Sequence, residues 1–87
     1  MAALHMDPSD REIALRRLAA AEDAIARARD QTKRQREIVE RLESAGQDPS
    51  QARQLLATFE ATQATHERRL AMILNELTQA GWKHVES

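Results

Sequence analysis

The sequence predicts an all-α fold: an antiparallel, coiled-coil-like helical hairpin that dimerises into a four-helix bundle. Three observations predict it. Two long stretches repeat apolar residues in heptads, one short break (Gly46-Gln47-Asp48-Pro49) separates them, and the apolar stripe on each is wider than one partner helix can cover. Seven-residue spacing sustained over several turns implies a left-handed supercoil. A break this short permits only an antiparallel return.

Composition agrees with the pattern. Eighty-seven residues allow one small domain, and so short a chain usually needs a staple or a partner. With no Cys, disulfides and thiolate metal sites are excluded. One Phe, one Trp and no Tyr leave the core to Leu, Ile, Val and Ala, which suits helix-on-helix packing better than a β fold. Thirteen basic and fourteen acidic residues give a net charge of −1, so no overall field draws the chain to nucleic acid or anionic lipid. No apolar run approaches the roughly 18 residues of a membrane span, and no leader is visible. The expectation is a soluble, cytoplasmic chain. His5-Met6 is what a common restriction site at a start codon encodes. Residues 1–5 therefore read as a cloning remnant, 6–82 as the hairpin domain and 83–87 as a tail.

The first helix is expected over about residues 8–45. Asp7 offers an Asx cap with Pro8 at the first helical position, and Ser9 with Glu12 has the spacing of a capping box. The second is expected over about 49–80, with Asp48 as cap, Pro49 as first helical residue and Gln51 in the third position. Gly46 and Gly81 stand where a left-handed residue would end each helix. Trp82 follows directly, placed to fold back onto Leu77 or to anchor a partner protein.

The seam reads Leu18, Ile25, Thr32, Val39 and Ala14, Ala21, Ala28, Gln35, Leu42 on helix 1. On helix 2 it reads Leu56, Gln63, Leu70, Leu77 and Phe59, His66, Ile73, Ala80. The predicted core and dimer packing is Leu18, Ile25, Val39, Leu42, Leu56, Phe59, Leu70, Ile73 and Leu77. Leu15, Ala24, Ile38, Leu55 and Leu74 flank the seam and widen the stripe to bundle width.

One fault interrupts the heptads. Thr32, Gln35, Gln63 and His66 are polar at seam positions, and reflection about the turn brings them into one slab. Such a layer penalises slipped pairings, because slippage leaves its groups unpaired. The alternative is a small polar pocket or pH sensor at His66, where a buried neutral imidazole would make the fold acid-sensitive.

Other chemical signals are slight. His66-Glu67-Arg68-Arg69-Leu70 resembles the phospho-accepting His-Glu box of sensor kinases, but here the His lies on the second helix and at the seam. Gln63-Ala64-Thr65-His66 has the spacing of the Glu-x-x-His pair of di-iron bundles with Gln in place of the needed Glu, and no metal or cofactor is expected. Arg27, Arg29, Lys33, Arg34 and Arg36 crowd helix 1. They could hold nucleic-acid phosphates, as in the small helical-hairpin regulators of plasmid copy number, or form a solvated face paired with Asp30, Glu37, Glu60 and Glu67. The paired face is the favoured reading. No nucleophile with an adjacent base, no phosphate loop and no paired carboxylates in a cleft are present, so no catalytic residue is assigned and no enzyme is expected.

Gln35-Arg36-Glu37-Ile38-Val39-Glu40-Arg41-Leu42-Glu43, then Gly46-Gln47-Asp48, then Ala52 and Leu55-Leu56-Ala57-Thr58-Phe59-Glu60 with Gln63 and His66, is similar to a group of short uncharacterised proteins common in alphaproteobacteria. Eleven Arg against two Lys suits a GC-rich genome. The resemblance implies a stand-alone helical hairpin and carries no activity. The functional expectation is a non-enzymatic homodimeric interaction module, an adaptor or regulator, with nucleic-acid binding and His66 phosphotransfer as alternatives.

Overall fold

The structure, a computed structural model, describes residues 8–79. Two helices make up the fold: α1, Pro8–Ser44, and α2, Ser50–Gln79. They pack along each other as an antiparallel hairpin, with no strand among the described residues. The long dimension is 64 Å and the others are 21 and 14 Å, the proportions of two rods side by side. Asp7, Ala80, Gly81, Trp82 and the terminal histidines His5 and His84 lie outside the described residues.

The turn follows from two local devices. Gly46 has a φ of 72°, the left-handed region that costs an L side chain free energy and glycine little. The Gln47 N–H then donates to the Leu42 carbonyl at 2.9 Å, and the Gly46 N–H to the Glu43 carbonyl at 3.1 Å. These are the paired bonds of a Schellman stop, and they satisfy carbonyls that the end of α1 would leave bare. Asp48 starts the return: its Oδ1 accepts from the Ser50 N–H at 3.0 Å and from the Ser50 hydroxyl at 2.6 Å. Pro49 lacks the N–H that a first turn could not use, and its carbonyl accepts from the Arg53 N–H at 2.8 Å.

At the start of α1, Ser9 already lies inside the helix, which begins at Pro8. Glu12 pairs forward with Arg16 at 3.2 Å.

The seam is narrow. Ala21, Ile25, Ala28 and Val39 on α1, with Ile73 and Leu77 on α2, are the buried apolar residues. Leu77 is the most enclosed, at 2% exposure, and packs with Ile73 and Ala21. Ala14, Leu18 and Leu70 lean on this cluster, and the small alanines of α1 make room there for the larger α2 side chains. Nearer the turn, Leu42, Leu56 and Phe59 are only half-buried. A pair of helices encloses a single stripe, so side chains beside it stay in water. Ile13, Leu15, Ile38, Leu55, Met72 and Leu74 all remain exposed.

Candidate functional site

The polar seam residues do not form one network. Thr32 and Gln35 are buried, whereas Gln63 and His66 are half-buried. The Thr32 hydroxyl donates to the Ala28 carbonyl of its own helix at 2.9 Å. Gln35 Nε2 crosses the seam to the Ala52 carbonyl at 3.0 Å. Gln63 Nε2 donates to Glu67 Oε2 at 3.2 Å, within α2. No hydrogen bond joins the four to one another among the described residues, and Thr32, Gln35 and Gln63 are each satisfied separately. Gln35 alone of the four bonds across the seam among the described residues.

His66 borders an open groove of about 340 Å³ whose floor is Ala20, Ala21, Ala24 and Ile73, with Arg17 and Arg69 at its rim. The imidazole is neither enclosed nor hydrogen-bonded to a carboxylate that would orient it as a base. The condition for a buried neutral sensor is therefore not met. The small side chains of Ala20, Ala21 and Ala24 on helix 1 leave this space beside α2.

The basic stretch of α1 is largely neutralised. Arg29 reaches Glu67 of α2 at 3.2 Å, and Arg36 reaches Glu60 at 3.2 Å. Arg34 pairs with Asp30 at 2.6 Å, and Arg27 pairs with Asp23 one turn back. Glu43 and Arg53 close the same series beside the turn. Asp30, Glu60 and Glu67 thus serve as the sequence suggested, Asp23 is an additional partner, and Glu37 makes no ion pair among the described residues. Lys33 is likewise unpaired among them.

Glu67 links the two systems. Its hydrogen bond from Gln63, then that from Arg29, hold its carboxyl below the usual carboxylate range. Asp48 is lowered similarly, first by the Ser50 hydroxyl and then by the Ser50 backbone N–H.

The cross-helix ion pairs follow a rule. Residues 29, 36 and 43 recur every seven, as do 53, 60 and 67, so all three of these pairs fall on one flank of the seam. The fourth, Arg17 to Glu76 at 3.6 Å, lies on the other flank near the open end. Periodicity singled out Leu15, Ile38, Leu55 and Leu74 as flanking residues but passed over Ile13 and Met72. Those two are exposed to 53% and 64% and lie further from the stripe; reading every heptad row, and not the seam alone, would have found them.

No group of His or carboxylate side chains among the described residues could hold a metal ion. No described helix is long and apolar enough to cross a membrane. No family model, no curated protein and no solved structure matches this chain.

Proposed function

We propose that the chain is a non-enzymatic, self-associating interaction module: two hairpins pack into a four-helix bundle whose outer faces and ends are offered to another protein. One observation carries this reading. Among the described residues, the seam buries only Ile25, Val39, Ile73 and Leu77 of the apolar side chains larger than alanine, while six large apolar side chains stay in water. Below about 70–80 residues a single core rarely supplies more than about 3–5 kcal/mol, and small helical domains near this size often oligomerise to add to it. Exposed apolar residues in heptad rows are the surface a second hairpin would cover.

Association that stabilises the folded chain makes its melting temperature rise with concentration. Circular dichroism melts over a hundredfold range of concentration test this. A rising midpoint supports the module, and a constant midpoint with monomer mass overturns it. The paired state of Arg27, Arg29, Arg34 and Arg36 weighs against a nucleic-acid surface, and the half-buried His66 with no base beside it weighs against phosphotransfer.

A further inference from the structure

We propose that the alanine groove beside Arg69 docks an acidic segment of another protein, with a carboxylate next to an aliphatic side chain. This rests on the interaction module proposed above and gives its partner a chemistry.

The cross-helix ion pairs single out the place. Arg29, Arg36 and Arg53 each meet a glutamate of the opposite helix on one flank, and Arg17 meets Glu76 on the other. Stepping seven residues inward from Arg17 and Glu76 along both helices brings Ala24 level with Arg69. Both line the groove. Arg69 is thus a flank arginine whose opposite position holds no acid. It makes no ion pair among the described residues, and neither does Arg68, whose guanidinium donates to the Thr65 hydroxyl at 3.3 Å.

The same alanine makes the space. Ala24 withholds the carboxylate that would answer Arg69 and leaves open the room a longer side chain there would fill. The floor is apolar, and its volume of about 340 Å³ lies at the small end of ligand pockets, a size that takes a side chain or two of a docked segment. Just outside, Met72 stands 64% exposed beside Arg68 and Arg69. The carboxylate of this lip, Glu76, is already answered by Arg17 at 3.6 Å, so the lip keeps an excess of positive charge.

Charge and shape together select the occupant. A guanidinium takes a carboxylate through two parallel, charge-assisted bonds. An exposed pair of this kind is worth little alone, so apolar contact must share the binding. An aliphatic side chain beside the carboxylate would lie on Ala20, Ala24 and Ile73, and the pliable thioether of Met72 can close over it. Methionine and arginine are the side chains that protein interfaces favour. A neutral or basic segment would cover Arg69 and leave it unpaired. A bare phosphate would find nothing to use on the apolar floor.

The test titrates the full, isotope-labelled chain with acetyl-leucyl-glutamyl-alanyl-leucinamide and with the same peptide carrying glutaminyl for glutamyl. Amide spectra should show saturable shifts at Ala20, Ala24, Arg69 and Ile73 with the acidic peptide. The glutaminyl peptide should bind about tenfold more weakly, the scale of one charge-assisted hydrogen bond. Arg69→Gln should cost a similar factor. Lys33→Gln, which removes an equal charge from an unpaired site on α1, should leave affinity unchanged. Ala24→Glu should abolish binding while helicity holds, because it gives Arg69 a partner within the chain and fills the groove. Equal binding of the two peptides, no saturable shift at these residues, or undiminished binding by Ala24→Glu overturns the proposal. Molar mass read on the same samples separates the two readings. Groove binding at monomer mass upholds the groove and removes self-association, and a dimer without groove shifts does the reverse. A dimer that falls to monomer as the acidic peptide binds would make the groove an interface between copies and overturn the choice of partner.

Discussion

Gly46 is the residue on which the topology turns. Its left-handed φ lets the chain leave α1 and enter the cap of α2, and a Cβ there would meet nothing within 4 Å. The cost of a side chain is therefore conformational and not steric. Gly46→Ala should lower stability by about 1 kcal/mol, and Gly46→Asn by less, in urea melts read by circular dichroism. An Ala variant as stable as the parent would mean that the turn can re-form as continuous helix. Asp48 offers a second test. Its carboxyl is held low by Ser50, so the folded state favours the ionised form. The stabilisation is present in full above the ordinary carboxylate range and is lost as pH falls through and below about 4. Asp48→Asn should then be less stable than the parent at neutral pH, with the gap closing in acid. A gap that is constant with pH would show that the cap works without its charge.

At the scale of the helices, periodicity made most of the fold legible. The starts at Pro8 and Asp48-Pro49, the stop at Gly46 and the seam positions could all be read from turn chemistry and seven-residue spacing, because both are local. The partners of the polar seam residues could not. Gln35 reaches Ala52 across the seam, and Gln63 turns instead to Glu67; helix register and side-chain reach decide this, and neither is written in spacing. Nor does the heptad pattern say how deeply two helices bury a stripe, which is why Leu56 and Phe59 are less enclosed than a core reading suggests. Leu77, by contrast, is enclosed, and Leu77→Ala should cost about 2–4 kcal/mol. A loss below about 1 kcal/mol would show that the end of α2 contributes little to the fold. Replacing Gln35 with Leu removes one cross-seam hydrogen bond but leaves no buried donor unpaired. It should be neutral or stabilise by about 1 kcal/mol while broadening the register. Sharp single-register amide spectra from that variant would contradict the locking role.

Taken as a molecule, the hairpin is asymmetric across its seam. Three cross-helix ion pairs bridge one flank along the half nearer the turn and a single pair, Arg17 with Glu76, bridges the other near the open end, so the heptads that build the seam also distribute its ion pairs unevenly. Neutralised arginines predict that the chain elutes from heparin at low salt and that Arg29→Glu with Arg36→Glu does not change this. Strong salt-sensitive retention lost in that variant would restore the nucleic-acid reading. The central claim is self-association, and molar mass by light scattering on a size-exclusion column at tens of micromolar tests it most directly. Twice the chain mass of 9.8 kDa is the predicted result. A mass equal to one chain, with full helicity and a sharp melt, would contradict it and show that the narrow seam suffices alone.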